Sequence, residues 1–231
     1  MNSDASALLG VQFPVLDKGY VELQDVMGDD LAIVNAARVS FLGESKGPEQ
    51  DARLLNYLMR NKHTSCFEQV EFKFRIKAPV VVWWQQVRHR TAHLNLQSGR
   101  YTPFAEDEFY IPSEWRRQSS DNKQGSDGAL SPQLQEWFNE RYLDLLDETF
   151  LMYSKALDAG MAKEQARLFL MGWGSYYTGV WKIDAHNLMH FLTLRNEQHA
   201  QHEIREFARV IETEIFAKVL PITYQAWRNH E

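Results

Sequence analysis

The sequence predicts one domain of the α+β class, and three observations lead there. Between residues 67 and 77, Val70, Phe72, Phe74 and Ile76 alternate with Glu71, Lys73, Arg75 and Lys77, the two-residue period of a strand with one buried and one wetted face. Elsewhere apolar residues recur at helical spacing, most extensively over residues 134–153, which marks amphipathic helices. No internal repeat or compositional break divides the 231 residues, a length that buries a sizeable core as one unit.

In chain order, residues 15–28 carry short apolar alternations bounded by Gly19 and Gly28 and read as a strand. Asp29 or Asp30 then caps a helix with Leu31, Val34, Ala37 and Val39 as its buried stripe. A second helix spans residues 49–61 through Leu54, Leu55, Tyr57, Leu58 and Met59. After the 67–77 strand, Pro79 suits a first helical turn, and the apolar run from Val80 to Trp84 continues through Gln85-Gln-Val-Arg-His-Arg90 for about three turns. Residues 116–132 hold almost no large apolar side chain and read as an exposed, flexible loop that orders on ligand binding. The long helix that follows puts Leu134, Trp137, Phe138, Leu145, Leu146, Phe150 and Tyr153 on its apolar side and stops at Gly160. Further helices are expected over residues 163–171, 184–195 and 198–219.

Composition narrows the function. At 44% hydrophobic and 24% charged, the chain reads as globular, which excludes disordered and fibrous classes. Its longest apolar run, residues 78–84, ends in glutamines, far short of the ~20 residues a membrane helix needs. Met1-Asn-Ser-Asp-Ala-Ser-Ala7 carries an acid and no base before Lys18, unlike the basic start of a secretion signal, so a cytoplasmic protein is expected. The single cysteine, Cys66, forms neither an intrachain disulfide nor a cysteine metal cluster and suits a reducing compartment. A net charge of −6, from 25 Lys+Arg and 31 Asp+Glu, argues against general nucleic-acid binding unless the bases cluster.

They do cluster. Residues 85–101, Gln-Gln-Val-Arg-His-Arg-Thr-Ala-His-Leu-Asn-Leu-Gln-Ser-Gly-Arg-Tyr, concentrate arginine and histidine at a helix end and the loop after it. Guanidinium groups bind phosphate through paired donors, and Ser98 and Gly99 let backbone amides approach an anion. On a helix Gln85 shares a face with Arg88 and His89 while Arg90 diverges, so that one tip reaches two anionic ligands. On residue types alone, a solvated basic helix end paired with acidic residues accounts for the pattern equally well.

Arg88-His-Arg90, followed after seven residues by Ser98 and then Arg100-Tyr101, resembles the signature of the flavin-dependent thymidylate synthases, the ThyX family. Further blocks, in the family's order, carry the resemblance over most of the chain: Ala36-Ala-Arg-Val-Ser-Phe41, His63 with Phe67-Glu68, Phe109-Tyr-Ile-Pro112, Ala166-Arg167, and Trp181-Lys-Ile-Asp-Ala-His-Asn-Leu-Met-His-Phe-Leu-Thr-Leu-Arg195 with His199-Ala-Gln201. The resemblance implies an antiparallel sheet flanked by helices, and a homotetramer with FAD and nucleotide shared between subunits. It implies reductive methylation of dUMP at the pyrimidine 5-carbon, giving dTMP, with NADPH reducing the flavin and methylenetetrahydrofolate supplying the carbon. The protein's part is positioning and charge stabilisation.

Residue by residue, the resemblance places His63, Glu68, Asn95 and His199 at the flavin, and Arg88, His89 and Arg90 among the flavin and nucleotide contacts. Gln85, Ser98, Gly99, Arg100, Arg167 and Arg195 fall in the nucleotide pocket. Ser98, Gly99 and Arg100 surround the phosphate; Arg195, a catalytic candidate together with Ser98, stands at the pyrimidine, where a guanidinium stabilises charge developing on a ring oxygen. Cys66 reads as a small packed residue rather than a nucleophile. The chain departs from the family pattern at His93, at Trp84, where relatives usually have arginine, and in Leu170-Met-Gly-Trp-Gly-Ser-Tyr-Tyr177, which carries an extra residue. Leu96 replaces an acid or amide near the sugar. A branch of the family in nucleoside-antibiotic biosynthesis methylates UMP, so UMP is the alternative substrate.

Two other readings fit parts of the sequence. His186, His190, His199, His202 and Glu203 have spacing compatible with zinc or iron, but no strict motif such as His-Glu-x-x-His accompanies them; histidines used for hydrogen bonds or flavin contacts are the favoured reading, and no metal is expected. A nucleic-acid-binding module using Lys73, Arg75, Lys77, Arg88, Arg90 and Arg100 is the non-enzymatic alternative.

Overall fold

Alternation in the 71–79 segment builds the centre of the molecule. The computed structural model describes residues 3–231, so that the first two residues of the N-terminal reading lie outside the described residues. The strands are β1 (Gln12–Val15), β2 (Gly19–Met27), β3 (Glu71–Pro79), β4 (His93–Leu96), β5 (Arg116–Gln118), β6 (Ser126–Ala129) and β7 (Tyr176–Asp184). Five of them form an antiparallel sheet in the order β1-β2-β3-β7-β4, and β5 pairs with β6 as a separate ribbon. The helices are α1 (Ser3–Leu8), α2 (Asp30–Arg38), α3 (Pro48–Arg60), α4 (Val80–Gln86), α5 (Pro132–Asp158), α6 (Lys163–Ala166), α7 (Ala185–Arg195), α8 (His202–Val210), α9 (Ala217–Val219) and α10 (Pro221–Arg228). This is the expected α+β single domain with helices around an antiparallel sheet.

In register, Phe72 faces Ile183, Phe74 faces Trp181 and Ile76 faces Gly179. All six are buried, and they form one face of the sheet, which the helices cover. Phe74 stacks on Trp181 at 5.8 Å, Trp181 meets Phe191 of α7 at 5.1 Å, and Phe72 meets Phe216 at 5.9 Å. The opposite face is polar. Lys73 stands across from Lys182, a repulsive pairing that Glu71 relieves with a 2.7 Å ion pair to Lys182. Gly179 has no room for a side chain, since a Cβ there would lie 2.5 Å from Leu96 and 2.9 Å from Trp83.

Several elements differ from expectation for tertiary reasons. The basic tip is not helical: α4 ends at Gln86, and residues 87–92 turn through the His89 N–H to Gln86 C=O bond (3.0 Å) so that β4 can pair with β7. β7 itself was not anticipated. The α2 stripe consists of Ile33 and Val34, capped by Asp29, while Leu31 and Val39 are exposed. Segment 116–132 is largely exposed but carries the β5–β6 ribbon. The expected 198–219 helix contains a π-helical stretch, Ile211–Phe216. No helix among the described residues is long and apolar enough to cross a membrane.

Candidate active site

The end of α7 and the turn after α4 converge. Asp184 caps α7 by accepting the Asn187 N–H at 2.9 Å, and Ala185, Leu188, Met189, Phe191 and Leu192 bury the helix, so Arg195 is delivered at its last position. Arg195 Nε donates to His89 Nε2 at 3.1 Å, and its Nη2 donates weakly to the Gln85 carbonyl at 3.4 Å. Burial, then the charges of Arg195 and His190, pushes the His89 pKa down to about 4. His89 is therefore neutral at physiological pH, with Nε2 as an acceptor and the proton on Nδ1. The basic cluster thus contributes its arginines as cations and its histidine as a support. Gln85 Oε1 is buried without a partner among the described residues, an acceptor awaiting a donor.

His89 also packs edge-on against Phe191 at 4.9 Å and lies 6.2 Å from His190. His190 in turn lines a cavity of about 560 Å³ with His63, Phe67, His186, Met189 and Trp227. His186 and His190, whose spacing is compatible with a metal but reads better as hydrogen-bonding or flavin-contact histidines, are wall residues of this cavity; no three His, Cys, Asp or Glu side chains among the described residues converge on a metal position. Their i, i+4 spacing on a helix ending at Arg195 was the signal.

The other candidates occupy separate places. Arg88 and Arg90 are exposed and form no ion pair among the described residues. Glu68 and Asn95 are also exposed, Asn95 on β4 opposite Val180. Ser98, Gly99 and Arg100 form a turn in which Arg100 Nε donates to Ser98 Oγ at 3.4 Å. Gly99 is required there because a Cβ would meet the Phe104 ring at 2.3 Å. Phe104 meets Tyr177 in a tilted contact at 5.1 Å, and Arg167, near Tyr177, lowers that phenol's pKa against the stronger upward push of burial. His199 is remote from these contacts and lines a cavity of about 440 Å³ with the β5–β6 ribbon, Arg205 and Gln198.

Leu96 is 36% exposed and lies over Gly179 and Trp83, where it helps line an apolar notch of about 220 Å³ with Val80, Trp84, Val87 and Tyr177. Gln97 is spent on the sheet: its Oε1 accepts the Thr178 N–H at 3.2 Å. Cys66 packs partly buried against the core, and burial raises its thiol pKa, the opposite of activation.

A half-buried arginine oriented by a neutral histidine, beside a large cavity and an arginine-rich turn, is an arrangement that could hold an anion on an α+β scaffold. The family model described as "Thymidylate synthase complementing protein" matches residues 22–222, and the chain belongs to that family. It is 47% identical over 221 residues to the flavin-dependent thymidylate synthase of Thermus thermophilus, covering 94% of this chain and 78% of that one. Identity to the Treponema denticola protein of the same name is 46% over 223 residues, 95% and 83% of the two chains. Among solved structures it is similar to a UMP/dUMP methylase, PolB from Streptomyces cacaoi. The form bound with 5-bromo-UMP has a TM-score of 0.82 at 32% identity and covers 92% and 94% of the two chains. The form bound with 5-bromo-dUMP has a TM-score of 0.83 and covers 94% and 97%.

Proposed function

We propose that this protein catalyses reductive methylation of dUMP at the pyrimidine 5-carbon to give dTMP, with FAD as cofactor and NADPH and methylenetetrahydrofolate as co-substrates. The observation that carries the reading is Arg195, half-buried at the end of α7 and held by neutral His89. The names of the relatives and of the nucleotide-bound neighbours support it.

The residues suit a flavin dinucleotide. His63, His190 and Met189 wall a cavity large enough for a flat ring, and the unpaired Arg88 and Arg90 suit its pyrophosphate, with Glu68, Asn95 and His199 as further contacts. FAD when bound supplies the redox and carbon-transfer chemistry that side chains lack. Arg195 stabilises the negative charge that develops on the pyrimidine oxygen during activation of the 5-carbon. Neutral His89 helps by accepting the Nε–H without adding a second cation that would spread the charge. The orphaned Gln85 Oε1 suits the pyrimidine N3–H. Ser98, Gly99, Arg100 and Arg167 take the phosphate. Cys66 has no part in this chemistry.

The site groups lie apart within one chain, and α5 leaves Trp137, Leu145 and Leu151 exposed. Both features support a homotetramer in which neighbouring subunits complete each site. A cytoplasmic location belongs to the same reading. Purified protein incubated with FAD is expected to turn yellow and to form dTMP from dUMP with methylenetetrahydrofolate and NADPH. A colourless protein with no calorimetric FAD binding sinks the proposal.

One observation favours a second reading with UMP as substrate. Leu96 offers the sugar no hydrogen-bonding group and rests on apolar neighbours, which relaxes discrimination between hydroxyl patterns. The comparison of kcat/KM for dUMP and UMP under identical conditions decides between them.

A further inference from the structure

Arg195 occupies the last turn of α7, where carbonyls lose their intrahelical partners and the chain frays unless it is held. Asn196 holds it. The Asn196 backbone N–H donates to the Leu192 carbonyl at 2.8 Å, and its side-chain Nδ2 donates to Glu212 Oε2 at 2.6 Å. Glu212 is only 4% exposed. Its other oxygen accepts the Tyr224 hydroxyl at 3.2 Å and lies 3.8 Å from Arg228 Nε. A carboxylate this buried is costly unless its oxygens are satisfied, and its partners tie the end of α7 to α10.

The backbone is arranged to put Glu212 there. Buried residues Ile204, Ala208, Glu212, Phe216 and Leu220 recur every fourth position. On an α-helix a four-residue repeat drifts by about 40° at each step, which carries the stripe off the core. The π-helical stretch Ile211–Phe216, more loosely wound than an α-helix, offsets that drift for the residues after Glu212, so that Phe216 and Leu220 stay on the same buried face.

We propose that Glu212 is a positioning residue for Arg195, its carboxylate locking Asn196 and thereby the final turn of α7. The inference rests on the role given above to Arg195 at the pyrimidine. Glu212 touches neither substrate nor cofactor in this account; it limits where the guanidinium can point.

The test uses FAD-loaded full-length protein with the variants R195A, N196A, E212A, E212Q and the N196A/E212A double. N196A and E212A are expected to slow single-turnover nucleotide methylation about tenfold, the scale of a misplaced catalytic group. In N196A the flavin absorbance and calorimetric FAD affinity are expected to stay close to those of the unaltered protein and the nucleotide Kd to change less than the rate, while the melting temperature falls because a buried carboxylate oxygen loses its donor. Because the Gln amide oxygen accepts from Asn196 as the carboxylate does, E212Q is expected to restore most of the rate. The double variant should be no slower than the slower single one, since both break one link. Native single-turnover rate in N196A, or multiplicative effects in the double, overturns the proposal. N196A keeps the test decisive if E212A does not fold. Slow R195A with unaffected N196A overturns the positioning role alone, whereas a native rate in R195A overturns the underlying assignment of Arg195 and this proposal with it.

Discussion

The half of the molecule built on β2, β3, β7, α7, α8 and α10 buries nearly every large apolar side chain it owns, whereas α5 and the segments beside it do not. Within the sheet, Phe72, Phe74, Trp181 and Ile183 are at most 1% exposed. Of the 27 residues of α5 only Leu146, Tyr153 and Ala156 are buried, and Trp84, Leu168, Phe169 and Trp173 elsewhere are also exposed. One half is complete as a monomer. The other leaves large apolar side chains exposed, as interaction sites ordinarily do, and α5 carries the same helical periodicity that a core-facing helix would.

Removing a core residue on the finished side gives the largest expected effect. Trp181→Ala should cost about 3–5 kcal/mol of stability, read as a lowered denaturation midpoint; a loss below about 1 kcal/mol would mean that the sheet face is not the main core. Next is Arg195→Ala, expected to reduce single-turnover methylation by roughly 100- to 1,000-fold, the scale of losing one group aimed at developing charge, while FAD binding is retained. Unchanged rates at saturating nucleotide would remove Arg195 from the chemistry.

On the unfinished side, Trp137→Glu should leave the protomer folded but shift the proposed tetramer to smaller species, at about 2 kcal/mol or more per interface anchor. Light scattering reads this directly, and an unchanged mass in both proteins would show that α5 is not an assembly surface. A smaller change is expected for Leu96→Glu. Altered sugar preference between dUMP and UMP of about 10- to 100-fold corresponds to the 1–3 kcal/mol of one buried polar partner gained or lost; if neither substrate responds, Leu96 is silent. Smallest is Cys66→Ala, which should keep methylation within about tenfold, since its thiol is partly buried with a raised pKa. A folded variant inactive by several orders of magnitude would restore cysteine chemistry.

Much of the candidate site was legible because its residue types are unusual for a core. Arg88-His89-Arg90 and the Ser98–Arg100 turn stand out in the sequence, and the partnership of His89 with Arg195 does not, because 106 positions separate them. The helical reading of the 85–90 tip failed where sheet pairing outweighed local propensity: β4 adds four residues to the edge of β7 and requires a turn first. β7 went unread although Trp181, Lys182 and Ile183 alternate, since Gly179 interrupts the run with a residue that normally weakens a strand. Its glycine makes sense only once Leu96 and Trp83 are packed over it.

By itself, the sequence determined the α+β class, the strand at the centre of the sheet, the long amphipathic helix and the concentration of arginine and histidine side chains over residues 85–101, all of which follow from local period and residue chemistry. Tertiary structure alone decided which apolar stripes are buried and which face outward, because periodicity records that a face is apolar without recording what covers it. It also decided the charge state of His89, which burial and the neighbouring Arg195 set, and the inward placement of Glu212, where Asn196 at the end of α7 and Tyr224 of α10 meet one carboxylate.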